Sequence, residues 1–253
     1  MKAEQTYSIY FLSDIHLGAP DYDSSLIREK KLVLFLDSIK ADATDVFILG
    51  DLFDMWFDYK RVIPRGFVRL LGKLAELSDK GIRIHYFIGN HDMWVFDYFE
   101  KELGMIIYRQ PKSFTFNGKK FLLGHGDGLG PGDFSYKFIK RVFSGKLNQW
   151  LFARLHPNFG LGLANFFSKK SRIANGDFEE VPDEVENEYL VKYCKSRLEE
   201  EYFDFFVFGH RHIAIDIGLK DNSRYINLGE WVKSPHYAHF DGNEIRLKKE
   251  NLV

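Results

Sequence analysis

The sequence predicts an α/β protein in which two β-sheets pack face to face with helices on the outside. Three observations predict it. Apolar runs alternate with amphipathic helical stripes from Tyr7 to Ile88, an Asn117-Gly118 pair sits between two strand-like runs, and short strands separated by turn residues fill the tail after Phe205. Alternating strands and helices favour parallel pairing under outer helices, whereas strands joined by tight turns favour antiparallel sheet.

Taken in order, Tyr7 to Leu12 reads as a buried strand, followed by a polar, proline-containing loop from Gly18 to Ser25. Leu32, Phe35, Leu36 and Ile39 then fall at i, i+3, i+4 and i+7, the stripe of a helix lying on a sheet. Val46 to Leu49 is the next strand, Phe67, Leu70, Leu71 and Leu74 repeat the helical stripe, and Ile82 to Ile88 is the third strand. A short helix is expected near Phe96 to Leu103. Ser113 to Phe116 and Lys120 to Leu123 flank Asn117-Gly118, a strong two-residue hairpin signal. Asp183 to Glu201 is a charged amphipathic helix. The segments Ile213 to Leu219, Tyr225 to Leu228, Trp231 to Phe240 and Glu244 to Leu247 read as a second, largely antiparallel sheet.

The stretch from Asp133 to Arg172 breaks this pattern. Lys137, Lys140, Arg141, Lys146, Arg154, Lys169, Lys170 and Arg172 face one acid, Asp133, and alternate with Phe134, Phe138, Phe143, Trp150, Phe152, Phe159, Phe166 and Phe167. Its place between two segments rich in polar ligands is that of a helical insert, residues 133–172, over a core formed by 1–132 and 173–253. Basic aromatic helices suit an anionic membrane surface or a lipid-like ligand. They also suit single-stranded nucleic acid, and a hairpin whose aromatics merely pack on one another is the structural alternative.

Composition narrows the class. With 253 residues and 29.7 kDa the chain can bury a large core, and 45% apolar with 28% charged residues excludes a disordered or fibrous protein. A net charge of −1 does not point to nucleic acid. The single cysteine, Cys194, excludes an internal disulfide or a Cys-x-x-Cys zinc site, and reads as a small apolar helix residue. No apolar run approaches the ~20 residues of a membrane span, and no signal-peptide pattern precedes Leu12. The expected location is therefore cytoplasmic, or peripheral on a membrane.

Chemistry enters with five apolar runs that each end in polar ligands: Ser13-Asp14-Ile15-His16, Gly50-Asp51, Gly89-Asn90-His91-Asp92, Gly124-His125-Gly126-Asp127 and Gly209-His210-Arg211-His212. Residues two apart on an extended backbone point the same way, so Asp14 and His16 can close on one ion. A glycine at a strand end lets the chain turn and deliver the next side chain to the carboxyl edge, where open α/β sheets build their sites. The candidate ligands Asp14, His16, Asp51, Asn90, His125, His210 and His212 include no thiolate, a donor set suited to manganese, iron or zinc. They outnumber what one such ion takes while staying open to substrate, so two divalent cations are expected, with a carboxylate between them. Such a pair activates a water and clamps a phosphoryl group, which points to phosphoester hydrolysis. His85 reads as a core histidine, and His156, His236 and His239 lack partners at ligand spacing. Asp54, Trp56 and Asp127 are candidates for orienting the ligands.

In order and spacing these motifs resemble the calcineurin-like metallophosphoesterase superfamily over nearly the whole chain. That resemblance implies a four-layer α-β-β-α sandwich with a helical cap. It also implies one cation on Asp14, His16 and His212, a second on Asn90, His125 and His210, Asp51 bridging, and Mn2+ as the first choice over Fe2+ or Zn2+. Ser13-Asp14-Ile15-His16-Leu17-Gly18, Gly50-Asp51-Leu52-Phe53-Asp54-Met55-Trp56, His125-Gly126-Asp127 and the insert's end at Ser171-Arg172-Ile173-Ala174-Asn175 look most like the UDP-2,3-diacylglucosamine hydrolases of lipid A biosynthesis. The resemblance then implies a nucleotide-activated glycolipid substrate, an inner-membrane surface as partner, no nucleic acid, and substrate contacts from Asn90, His91, Asp133, Ser171, Asn175 and His210. On physical grounds, His91 beside two cations and a phosphate can be protonated and supply a cation, or act as general acid toward the leaving oxygen, with Asp92 orienting its ring. Two departures stand out. Well-known members carry Arg where this chain has His91, and Lys shortly after the insert's Asn, where this chain reads Gly176-Asp177-Phe178; both remove a fixed cation near the diphosphate. The alternative is a phosphodiesterase or nuclease on the same core.

Overall fold

The computed structural model describes residues 7–130, 134–175, 185 and 188–251; for 134–136 and 169–175 it describes the backbone only. Among the described residues, eleven strands form two sheets. In the first, β1 (Ile9–Leu12), β2 (Asp45–Leu49), β3 (Arg83–Phe87) and β4 (Ile106–Tyr108) run parallel, and β10 (His236–Phe240) and β11 (Ile245–Lys249) continue it antiparallel beyond β1. In the second, β6 (Lys119–Leu123), β7 (Phe205–Phe208) and β9 (Arg224–Leu228) run parallel, flanked by antiparallel β5 (Lys112–Phe116) and β8 (Ala214–Gly218).

Alternation along each strand produces the layers. Ile9, Phe11, Phe47, Leu49, Phe87, Phe121, Leu123, Val207, Ile226 and Leu228 point between the sheets and form the central core. The opposite face of the first sheet packs against α1 (Tyr22–Ile39), α2 (Val68–Asp79) and α3 (Tyr98–Leu103), and that of the second against α7 (Tyr189–Glu200), where Cys194 is buried. The order is α-β-β-α, as expected. Removing one of the buried phenylalanines, Phe47 for example, costs about 3–5 kcal/mol.

The structure differs from the sequence reading at four places. Helix α1 starts inside the anticipated loop because Asp21 accepts a hydrogen bond from Ser24 N and caps it. Strand β4 is too short, at three residues, to show a period. The tail is not a sheet of its own: β8 and β9 join the second sheet, while β10 and β11 extend the first. Nor does the tail strand begin at Trp231, because the Glu230 carboxylate accepts from the amides of Val232, Lys233 and Ser234 and winds that stretch into a turn before β10. Of the charged helix expected from Asp183, residues 183, 184, 186 and 187 lie outside the described set, and Glu188 caps α7 through Val191 N. The hairpin holds, with Asn117 and Gly118 both at positive φ, 46° and 75°.

Three further helices, α4 (Phe134–Phe143), α5 (Lys146–Phe152) and α6 (Pro157–Asn175), occupy the inserted stretch. They rest on the loops beyond β2 and β3. Phe152 packs on Phe57 and Trp94 with ring centroids 4.8 and 4.4 Å apart, and Trp94 Nε1 donates to Phe143 O. Helix α6 runs to Asn175, past the expected boundary at 172.

Candidate active site

The site lies where the carboxyl ends of β1, β2, β3, β6 and β7 meet. Each ligand-bearing loop is shaped by close approach. A Cβ at Gly50 would overlap the His125 ring, one at Gly89 the Asp51 carboxylate, and one at Gly209 the Ser13 hydroxyl and Asp14 carboxylate. Asp14, His16, Asp51, His210 and His212 all have φ between 48° and 70°, a conformation costly for non-glycine residues and concentrated at functional sites. Asp14 N donates to Gly50 O and His16 N to Asp51 O, so neighbouring loops brace each other. Arg28 on α1 adds a buried clamp on the same loop, donating from Nε to Ile15 O and from its terminal nitrogen to His16 O and Ala19 O. No sequence signal marked Arg28, because its partners are backbone carbonyls.

The seven expected ligands come together in two groups that share one carboxylate. Asp14, His16, Asp51 and His212 present donor atoms within 4.8 Å of one another, as do Asp51, His125 and His210. Asn90 Oδ1 lies 3.0 Å from His125 Nε2, in the second group. His212 Nε2 is 3.2 Å from Asp14 Oδ1 and 3.1 Å from His16 Nε2, and His125 Nε2 is 3.3 Å from Asp51 Oδ2.

This arrangement fits a pair of cations. Asp14 Oδ1 and Asp51 Oδ2 are buried carboxylate oxygens that accept no hydrogen bond, whereas the other oxygen of each carboxylate does. Asp14 Oδ2 accepts from Ser13 Oγ at 2.5 Å and His210 N at 2.8 Å, and Asp51 Oδ1 accepts from His91 N at 2.8 Å. Buried, unbonded and converging oxygens with imidazole nitrogens among them call for positive charge. Protonation follows the same demand. Burial opposes charge on His16 and His125, but Asp14, Asp54 and Asp51 more than offset it and push both rings up to about 10. Burial also works against ionisation of Asp14 and Asp51, and the surrounding histidines overcome it and hold both well below the usual carboxylate range. His210, buried and next to His125, is pushed down to about 4.

Around the ligands, His125 Nδ1 lies 2.7 Å from Leu49 O, and Asp54 Oδ1 faces His16 Nδ1 at 3.7 Å. Trp56 is core, its Nε1 turned to Asp58, and His85 is bonded to Asp45 and Tyr108 in the core as expected. Asp127 is held by Lys140 of α4, Nζ to Oδ2 2.5 Å.

His91 and Asp92 separate. Asp92 does not orient the His91 ring: its carboxylate accepts from Leu52 N and Gly89 N, both at 2.8 Å, and from the Tyr86 hydroxyl, tying the loop after β2 to the loop after β3. The His91 ring instead turns Nδ1 to Asp54 O and to Ser168 Oγ, each at 3.1 Å. Burial, partly opposed by the Asp51 carboxylate, lowers its pKa and favours a neutral ring. Asp133 lies outside the described residues, and for Ser171 and Asn175 only the helical backbone is described. They follow Ser168 at i+3 and i+7, so their positions fall on the stripe of α6 that begins at Ser168.

The calcineurin-like phosphoesterase profile matches residues 7–214, a span that contains every one of these ligands. The chain belongs to the calcineurin-like phosphoesterase family. The phosphoesterase is 38% identical over 252 residues to a UDP-2,3-diacylglucosamine hydrolase from Porphyromonas gingivalis, covering 95% of this chain and 96% of that one. It is 29% identical to the protein of the same name from Aeromonas hydrophila, covering 97% and 100%. Among solved structures, an archaeal phosphodiesterase aligns over 96% of this chain and 99% of that one, with 13% identity and a TM-score of 0.48. The phosphoesterase is thus a hydrolase of phosphoester or diphosphate bonds with a site built for two metal ions.

Proposed function

We propose that the protein hydrolyses UDP-2,3-diacylglucosamine to UMP and 2,3-diacylglucosamine 1-phosphate in lipid A biosynthesis. The chemistry rests on one observation, the position of Asp51 in both donor groups. The substrate rests on the near-full-length likeness to UDP-2,3-diacylglucosamine hydrolases.

Asp14, His16 and His212 would hold one cation and Asn90, His125 and His210 the other, with Asp51 between and Mn2+ as the ion. When bound, such a pair lowers the pKa of water and neutralises phosphoryl oxygens during in-line displacement. The chain does the rest by placement. Ser13 and the His210 amide occupy one oxygen of Asp14, and the His91 amide one oxygen of Asp51, leaving the other oxygens aimed inward. With Nδ1 of His91 turned to Asp54 and Ser168, Nε2 is the ring atom left for the substrate, and a proton can be taken up there. A sugar 1-phosphate leaves more readily than an alkoxide, so a neutral His91 suffices where a phosphomonoesterase needs an acid. Asn90, His91, Asp133, Ser171, Asn175 and His210 would contact substrate.

Residues 133–172 would serve as a cap over the core of 1–132 and 173–253. Phe138, Leu147, Trp150, Phe159, Phe166 and Phe167 are exposed on it among basic residues, which supports acyl-chain contact and peripheral attachment to the cytoplasmic face of the inner membrane. No helix among the described residues is long and apolar enough to cross a membrane.

The test is hydrolysis of the purified, Mn2+-loaded protein's substrate in 18O-labelled water. Water attack at the nucleotide phosphorus places the label in UMP and none in the sugar phosphate. Intact UDP-2,3-diacylglucosamine alongside rapid cleavage of a simple phosphodiester would overturn the lipid assignment. Asp51→Asn, which weakens both donor groups, is expected to abolish turnover.

A further inference from the structure

We propose that Ser168, on α6, is a positioning residue that helps hold the His91 ring against Asp54 and links it to the seating of the inserted helices. Nδ1 of His91 is surrounded by oxygen: Asp54 O at 3.1 Å, Ser168 Oγ at 3.1 Å and Asp54 Oδ1 at 3.6 Å. A backbone carbonyl and a carboxylate can only accept, so Nδ1 must carry the proton. The Ser168 hydroxyl completes the chain by accepting from Nδ1–H and donating its own hydrogen to Asp54 Oδ2 at 3.0 Å. Nε2 is then the nitrogen without a fixed proton.

Ser168 lies 77 residues from His91 and 114 from Asp54 in sequence, and it reaches them only because the inserted helices are docked. That docking has independent anchors: Lys140 on Asp127, Trp94 on Phe143 O, and Phe152 against Phe57 and Trp94. Removing the hydroxyl alone therefore leaves α6 in place, and alanine is the better helix former. The His91 ring would keep the Asp54 carbonyl, and with it the Nδ1–H form, but lose the hydroxyl that ties it to α6. A cap that lifts would release the ring in the same way, so a correctly oriented His91 would be restricted to the docked state.

This inference rests on the proposed role of His91, and the experiment separates the two. Histidine ring nitrogens are read by 15N NMR in Zn2+-loaded wild-type, Ser168→Ala and Ser168→Thr proteins, and turnover is measured in the same variants. We expect Nδ1-protonated His91 in all three, with the Nδ1 signal shifted in Ser168→Ala, where one acceptor is gone, and wild-type-like in Ser168→Thr. Orienting partners of this kind carry roughly 10- to 100-fold in activity. The loss in Ser168→Ala should fall on kcat with KM nearly unchanged, and should vanish in a His91→Ala background. Unchanged His91 signals in Ser168→Ala overturn the inference, as does an equal loss of turnover with and without His91. If His91→Ala turns over like wild type while Ser168→Ala still shifts the His91 Nδ1 signal, the positioning role stands and the proton-handling role of His91 falls.

Discussion

Replacing Asp92 with alanine should unfold the protein more readily before it says anything about catalysis. Asp92 is fully buried, and its two oxygens receive the Leu52 and Gly89 amides at 2.8 Å, the Tyr86 hydroxyl, and a longer contact from Phe53 N at 3.4 Å. Alanine strands the first three donors in a pocket without another acceptor. At about 1–3 kcal/mol for each unsatisfied buried donor, partly relieved by relaxation, the loss is about 3–6 kcal/mol. That is a large share of the roughly 5–15 kcal/mol that holds a domain together. Urea unfolding of cation-free protein followed by tryptophan fluorescence should show a lower midpoint with an unchanged slope. Asp92→Asn keeps the shape but turns an NH2 toward a donor, so it should lose about 1–3 kcal/mol. Its pH dependence has a definite sign. Burial, then the Asp51 charge, push the Asp92 carboxyl up to about 7. A raised folded-state pKa stabilises fully below the unfolded value near 4 and loses that contribution as pH rises through about 7. The gap between wild type and Asp92→Asn should therefore narrow as pH rises from about 4 to about 7 and stay constant above that. An Asp92→Ala protein as stable as wild type but without turnover would refute this reasoning and return Asp92 to a direct part in the reaction.

Gly50→Ala places a methyl group on the His125 ring at a φ of +92°, so it should lose one equivalent of bound metal, measured by elemental analysis, while Asp14, His16 and His212 keep the other. Cation binding should release protons, because His16 and His125 are protonated up to about 10 without cations; calorimetry in buffers of different ionisation enthalpy should find about two protons released near pH 8, and none would refute it. Burial raises the pKa of Asp45, but hydrogen bonds from His85 and Arg83 prevail and hold it well below the usual range. Its contribution is present above the unfolded pKa near 4 and lost as pH falls through the folded one, so Asp45→Asn should cost about 1–2 kcal/mol near neutrality and progressively less in acid unfolding experiments.

The metal ligands were legible because each one follows a strand end. An apolar run, a glycine forced by close packing against the neighbouring loop, and a hard donor leave a local trace at Asp51, Asn90 and His210. The helical stripes and the Asn117-Gly118 hairpin were legible for the same reason: the period and the turn chemistry are local. Less could be read where the deciding partner is distant. Asp92 stands next to His91 in the chain yet turns toward Leu52 and Tyr86, and adjacency in sequence suggested the wrong pairing.

The chain alone thus determined a candidate donor set and the alternation that makes two sheets, since both are written in residue type and short spacing. Only the folded structure decided that β10 and β11 close the first sheet, that Arg28 clamps the Asp14 loop, and that Ser168 and Asp54, not Asp92, hold the His91 ring. Those outcomes depend on which hydrogen-bonding edges and faces meet in space, and strand alternation is indifferent to which edge a strand joins.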